Sequence, residues 1–371
     1  MNAALFAFFA ASAFAALLGM SGLSLVMIAR NEARCIQRCL SSVRAHVDAM
    51  FVLDTGSTDG TPELARQAGA RVAPFAWCDD FSAARNAALE QADADWALVL
   101  DADEWITEGG AALQALRAQT PTYIGVLRVD NLYGADAAQA SRSASWLSRV
   151  LPRGARYQGR IHEQPGAQWP RRRLDVVVQH DGYLEAAMRG KQGRNEALLR
   201  QALSEQPDDV YLHYQLGKDH ELRAGFASAW PHYQRALHGV GAADPWRHDL
   251  VLRALFTLKK LGQHAQAVAL ADAQRPAFAE SPDYWFALGD VLLDWAAHDA
   301  SRGAALVPLI ESAWQRAVAI GERPELPDSV HGRGSFLAAH NLAVLYDGLQ
   351  QGERARHWRE QERSMRAVDA A

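Results

Sequence analysis

The residues in this chain best placed to do chemistry are Asp101, Asp103 and Glu104, which end the apolar run Trp96-Ala-Leu-Val-Leu100. An unpaired carboxylate at the end of a buried strand is costly, and two side by side repel, so something positive must neutralise them. A divalent cation is the natural candidate. Oxygen ligands suit Mg²⁺ and Mn²⁺, and Mg²⁺ is commonly held by one or two protein carboxylates together with phosphate oxygens of a bound substrate. Acidic triplets also recur by chance on solvated loops, so the surrounding elements decide what this one means.

Upstream, Ser24-Leu-Val-Met-Ile-Ala29 reads as a buried strand, and Glu32 to Val43 as a helix whose apolar face holds Cys35, Ile36, Cys39, Leu40 and Val43. Met50-Phe-Val-Leu-Asp54 is a second strand that also closes on a carboxylate. The stretch from Thr55 to Pro62 is a turn rich in small hydroxylated residues, and it opens a helix running to Gly69. Arg71 to Phe75 predicts a short third strand, and Phe81 to Ala92 a helix bearing Arg85 and Asn86. Strands alternating with helices predict an α/β domain with a mostly parallel, Rossmann-like sheet, whose ligands sit beyond the carboxyl ends of the strands. Asp54 then shares a rim with Asp101 and Asp103.

Four blocks carry a resemblance. Ala29-Arg-Asn-Glu32, Asp54-Thr-Gly-Ser-Thr-Asp-Gly-Thr61, Asp80-Phe-Ser-Ala-Ala-Arg-Asn86 and Leu100-Asp-Ala-Asp-Glu104 are similar, in order and spacing, to the nucleotide-sugar half of family 2 glycosyltransferases of the GT-A fold. They look most like the bacterial subgroup of lipopolysaccharide-core glucosyltransferases and bacteriocin-peptide glycosyltransferases, over about residues 23 to 185. The resemblance implies a nucleotide-sugar donor, a UDP-sugar first, and a Mg²⁺ or Mn²⁺ cofactor. It implies that Asp54 contacts the nucleobase, Arg85 the base or diphosphate, Asp101 the ribose or metal, and Asp103 the metal. Asn31, Glu32 and Asn86, within the same blocks, fall on the donor-binding side.

Breaking a sugar–diphosphate bond requires stabilising the departing charge, which a metal bridging two phosphates does as a Lewis acid. The acceptor hydroxyl must also lose a proton, so a carboxylate or His within hydrogen-bond reach is expected. The stretch Arg156-Tyr-Gln-Gly-Arg-Ile-His162-Glu163-Gln164, after a strand over Trp146 to Leu151, offers both. In the resembling subgroup a Gly-x-Ile-His-Glu block lies on the acceptor side. Glu163 is therefore the expected general base, with His162 as its neighbour or as an acceptor contact; the alternative is a strand-end pair that merely satisfies itself. Asp130 and Asp136 are the next candidates. His180 ends a strand that starts at Val176, and it completes the metal shell, touches the diphosphate, or is a satisfied structural imidazole. Arg171-Arg172-Arg173 after Pro170 reads as a solvated turn, with a grip on an anionic acceptor as the lesser reading. Inversion of the transferred sugar is what the family and a single base imply.

From about residue 190 the strands stop, and Ala, Leu, Gln and aromatic residues recur at helical spacing. Leu216-Gly217 leads to Ala229 and Tyr233 to Leu237, and Leu288-Gly289 leads, across an insertion near Ala297 to Ala304, to Trp314 to Val318. Leu342-Ala343 with Tyr346 and Ala355 is a third copy, and Leu255 with Gly262 and Ala267 a degenerate one. The pattern resembles tetratricopeptide repeats, in which stacked helix pairs present small residues where they cross. An unrelated helical bundle is the alternative. Such repeats imply a role in holding the acceptor, binding a protein partner, or self-association.

The chain has 371 residues, 49% hydrophobic and 22% charged, which is enough to bury two cores. The expected order is an apolar extension over 1–19, a transferase domain over 20–188 and an all-α repeat domain over 189–371. A formal charge of -5 argues against a nucleic-acid partner. Cys35, Cys39 and Cys78 cannot all pair, and the first two belong on an apolar helix face. The segment Asn2 to Gly19 is apolar but lacks a basic flank and runs almost directly into the first core strand. A true start at Met20 is therefore expected, with a membrane anchor as the alternative; in either case the catalytic domain belongs on the cytoplasmic side, where nucleotide sugars are, in the cytoplasm or peripheral to the inner membrane face. The rivals are a non-catalytic repeat scaffold on a decayed transferase domain, and a sugar-nucleotide pyrophosphorylase. The latter calls for a Gly-rich phosphate loop that Ala29-Arg-Asn-Glu32 does not provide.

Overall fold

The computed structural model describes residues 22–134, 141–184 and 193–369, so the apolar extension and Asp136 lie outside the described residues. One compact unit contains residues 22–134, 145–184 and 193–198; a second contains 141–144 and 199–369.

In the first unit, β1 (Leu23–Ala29), β2 (Ala49–Asp54), β3 (Arg71–Pro74) and β4 (Trp96–Val99) form parallel pairs in the order β3-β2-β1-β4. Their continuous apolar runs are what a sheet covered on both faces requires. Leu23, Leu25, Met27, Val52 and Leu98 pack against Ile36, Cys39, Leu40 and Val43 of α1 (Ile36–Val43). Val26, Phe51, Leu53, Ala97 and Val99 pack on the opposite face against Ala88 of α3 (Phe81–Ala92), while α2 (Thr61–Gln67) follows β2. Cys35 and Cys39 are buried free thiols and Cys78 is exposed.

Three local readings need correction. The first helix starts at Ile36 instead of Glu32, and the backbone N–H groups of Asn31, Glu32 and Ala33 ahead of it are bound by the side chains of Ser57, Thr61 and Asp59. The strand expected over Trp146 to Leu151 belongs to a longer β7 (Ser141–Pro152) that runs antiparallel to β4. The three arginines 171–173 are solvent-exposed as expected, but they open strand β10 (Arg171–Leu184), where their backbones pair with residues 124–126 of β6 (Ile124–Gly134). The full order is β3-β2-β1-β4-β7-β6-β10-β5, with β5 (Glu104–Glu108) antiparallel to β10. The sheet is thus parallel in the half formed by β1 to β4 and mixed beyond it. A two-stranded hairpin, β8 (Tyr157–Gln158) and β9 (Gln164–Pro165), stands apart.

In the second unit each repeat copy found in the sequence falls on one helix pair: α6–α7 (Val210–Leu222, Phe226–Gly239), α8–α9 (Arg247–Lys260, His264–Phe278), α10–α11 (Pro282–His298, Gly303–Ile320) and α12–α13 (Phe336–Gly348, Gly352–Asp369). Helix α5 (Arg194–Glu205) precedes them. The insertion after Ala297 is the short turn Ala300–Arg302. The small residues sit where bulky ones cross: a Cβ at Gly217 would lie 2.6 Å from the Tyr233 ring, and one at Gly289 2.5 Å from Trp314 Nε1. Gly289→Ala should therefore lower the unfolding midpoint, since overpacking costs about 1–3 kcal/mol against the ~1 kcal/mol gained in helix propensity. Gly348→Ala, where a Cβ meets nothing within 4 Å, is the control and should be neutral or stabilising. Thermal unfolding of the two variants side by side checks this.

Candidate active site

Register fixes the rim. Ala29 pairs with Asp54 and Val26 with Val99, so Asn31, Asp54 and Asp101 all follow the carboxyl ends of neighbouring parallel strands. The chain steps from β1 out to β3 and then returns to the other side of β1 at β4, and such a reversal is where α/β sheets open a ligand crevice. The hydroxylated turn after β2 is there for its short side chains, which reach back to the loop after β1. Ser57 Oγ accepts from Asn31 N–H at 2.9 Å, Thr61 Oγ1 from Glu32 N–H at 2.8 Å, and Asn31 Oδ1 from Thr58 N–H at 2.8 Å. The Asp54 carboxylate accepts from the backbone N–H of Gly56 at 3.2 Å and of Ser57 at 3.1 Å, which closes the turn on itself.

The acidic loop after β4 is met by two buried arginines. Arg85 Nη2 donates to Asp101 Oδ1 at 2.7 Å, while its Nε donates to Glu163. Arg149, from β7, donates through Nη2 to Asp101 Oδ2 at 3.0 Å and to Glu104. Burial pushes the Asp101 carboxyl up, but the guanidiniums of Arg85 and Arg149 outweigh it and hold the group well below the ordinary carboxylate range. Glu104 goes the other way: burial raises it above its ordinary value despite Arg149. The positive charge demanded beside Asp101 thus comes from the protein itself. Arg149→Met should destabilise the protein by roughly 3–5 kcal/mol, because it strands the buried Glu104 carboxylate, while Asp101 keeps Arg85. Denaturant unfolding at neutral pH measures that loss.

Asp103 has different neighbours. It is only 4% exposed, and its Oδ2 lies 3.6 Å from His180 Nε2. The β10 register sets His180 between Glu104 and Asn131, and its Nδ1 lies 2.8 Å from Asn131 Oδ1, an acceptor, so Nδ1 carries a proton and Nε2 is the nitrogen that faces Asp103. Burial lowers the imidazole's proton affinity, but Asp103 more than compensates and raises it above the ordinary value. A Cβ at Gly182 would stand 2.3 Å from Asp103 Oδ2 and 2.4 Å from His180 Nε2, so glycine keeps that space open. A carboxylate oxygen and an imidazole nitrogen at this separation, beside a cleared space, fit two ligands of one divalent cation. Both oxygens of Asp101 are bound by arginines, Oδ1 by Arg85 and Oδ2 by Arg149.

The β8–β9 loop is sewn to α3. Asn86 Nδ2 donates to Tyr157 O at 3.0 Å and its Oδ1 accepts from Tyr157 N–H at 2.8 Å, while Phe81 N–H donates to Arg160 O at 2.8 Å. Both halves of the Asn86 amide are thereby spent on positioning. The loop turns through His162 in the left-handed region, φ 52°, and delivers Glu163 to Arg85. Asp130 lies elsewhere on β6, paired with Arg128 at 2.7 Å.

Arg149, Asn131 and the group formed by Arg34, Arg38 and Asp181 escaped the sequence reading. Asp181 accepts from Arg34 at 3.0 and 2.9 Å and from Arg38 at 2.7 Å, which ties the start of α1 to β10. Two arginines four apart beside an apolar helix face, and an arginine directly before the apolar pair Val150-Leu151 in a strand, were the available signals.

Fold and site together define an α/β domain whose strand ends carry an acidic, cation-ready rim. Residues 24–174 match the family model Glycosyl transferase family 2. A TPR repeat-containing protein of Synechococcus elongatus is 39% identical over 214 residues, 53% of this chain and 52% of that protein. The SPbeta prophage-derived glycosyltransferase SunS of Bacillus subtilis is 24% identical over 230 residues, 60% of this chain and 54% of that one. Among solved structures, a Mycobacterium tuberculosis glucosyl-3-phosphoglycerate synthase in complex with Mn²⁺, UDP and glucosyl-3-phosphoglycerate is 23% identical, with a TM-score of 0.26, over 32% of this chain and 46% of that one. The chain spans about half the length of the curated relatives it matches.

Proposed function

We propose that the chain is a metal-dependent, inverting glycosyltransferase that moves a sugar from a nucleotide-diphosphate sugar, a UDP-sugar first, to a glycan, lipid-linked or peptide acceptor. One observation carries the reading. Arg85 holds Asp101 with one nitrogen and Glu163 with another, joining the acidic loop to the Gly-x-Ile-His-Glu loop at the rim of a parallel sheet. In this reading Asn31, Glu32 and Asp54 line the nucleoside side and Asp101 faces the ribose. Asp103 and His180 hold Mg²⁺ or Mn²⁺, which when bound supplies the positive charge that the leaving diphosphate needs. Arg85 engages Glu163 through Oε1 and leaves Oε2 to take the proton of the acceptor hydroxyl, a base oriented by a third group. His162 contacts the acceptor beside it.

The transferase domain spans 20–188 and the repeats 189–371 in this scheme, with the helix pairs holding the acceptor, a protein partner or a second copy. The proposed place of work is the cytoplasm or the inner membrane face; no described helix is long and apolar enough to cross a membrane. Calorimetry with UDP-, GDP- and dTDP-sugars, with and without Mn²⁺, tests the proposal. Mn²⁺-dependent binding of one nucleotide class is expected, and failure of every donor to bind in the presence of metal would favour the scaffold reading.

A further inference from the structure

The second unit holds a separate convergence of metal-ligating side chains. Helices α9 and α10 are successive partners, which brings His264, the first residue of α9, to the last turn of α10, where Asp294 and His298 stand four apart on one face. One ligand atom from each lies within 4.8 Å of the others. His264 Nε2 is 2.6 Å from Asp294 Oδ2, and His298 Nδ1 is 3.4 Å from the same oxygen while donating to the Asp294 backbone carbonyl at 2.8 Å.

Two features separate this group from an ordinary surface ion pair. Among the described residues the ion-pair partners of the Asp294 carboxylate are both imidazoles. The nearby guanidinium of Arg302 is committed elsewhere: it pairs with Asp299 at 3.0 Å and lies 4.7 Å over the Trp295 ring. Exposure also rises in sequence, from 6% for the His264 side chain through 32% for Asp294 to 65% for His298. Trp295 lies parallel to the inner imidazole at 6.1 Å. The inner ligand is thus fixed by packing, and the outer one opens to solvent, where a cation enters and water completes its shell.

We propose that His264, Asp294 and His298 form a binding site for a d-block divalent cation, Zn²⁺ first, with one position left to water. The donor set selects the metal: two imidazoles and one carboxylate suit Zn²⁺, whereas Mg²⁺ and Mn²⁺ favour oxygen. Binding takes one lone pair from each imidazole: His298 gives up its bond to the Asp294 carbonyl and carries its proton on Nε2, and the proton shared between His264 and Asp294 is released to solvent. The bound ion clips the start of α9 to the end of α10. The site is independent of the transferase chemistry.

The test uses the tag-free full chain, stripped with chelator, dialysed near neutral pH and titrated with ZnCl₂ by calorimetry, with bound zinc counted by elemental analysis. One equivalent should be retained by the unmodified chain and also by Asp103→Ala, which places it away from the acidic rim. His298→Ala, at an exposed position, should weaken Zn²⁺ binding at least tenfold with circular dichroism unchanged, and Asp294→Asn should do likewise. Zn²⁺ should raise the thermal midpoint of the unmodified chain and not that of His298→Ala. Absence of a retained equivalent, or equal affinity in both variants and the unmodified chain, would overturn the site.

Discussion

Asp103→Ala should lower turnover by roughly 10³-fold or more while leaving the chain folded, because a cation ligand supplies several kcal/mol of transition-state charge stabilisation. Its carboxylate has the imidazole of His180 beside it, whereas Asp101 is gripped by Arg85 and Arg149. Chelation of the unmodified chain should reproduce the loss, and added Mn²⁺ should reverse it. Steady-state rates with and without EDTA decide the matter: near-normal activity in the variant, or undiminished activity in chelator, would remove Asp103 from the cation site.

Glu163→Gln should lower kcat by roughly 10²–10⁴-fold with donor binding nearly unchanged, since a general base acts chiefly in the transition state. The amide oxygen of Gln can still accept from Arg85 Nε, so the loop stays in place and the measurement isolates proton transfer. Asp54→Asn should do the reverse, raising donor KM with a smaller change in kcat. If Glu163 serves only to hold Arg85, the substitution will disturb Asp101 as well, and KM and kcat will move together. Wild-type kcat in Glu163→Gln would pass the base role to His162 or Asp130.

The α/β alternation, the strand-end carboxylates and the helix pairs were all legible in the sequence because each is written in local periodicity and turn chemistry. The repeat copies of the second unit fall on helix pairs α6 to α13 for that reason: Gly217 and Gly289 mark the crossings by being too small to be anything else. Period alone did not reveal that the sheet turns mixed after β4, since strand direction depends on long-range pairing and not on side-chain alternation. It also could not show that the loop ahead of α1 is held by hydroxyl and carboxylate groups from the loop after β2, some 26 to 29 residues away.

The site shows the same division at finer grain. Residue types and order along the chain were enough to nominate Asp54, Arg85, Asp101, Asp103, Glu163 and His180. Asp54 is met by the backbone of its own turn, but what neutralises the others is a matter of tertiary geometry, because their partners come from strands, helices and loops distant in sequence. Arg149 arrives from β7 to share Asp101 with Arg85, and Asn131 arrives from β6 to orient His180. Two carboxylates spaced i, i+2 looked equivalent as sequence. Folding makes one an anion gripped by two buried guanidiniums and turns the other toward an imidazole and a space that only glycine leaves open.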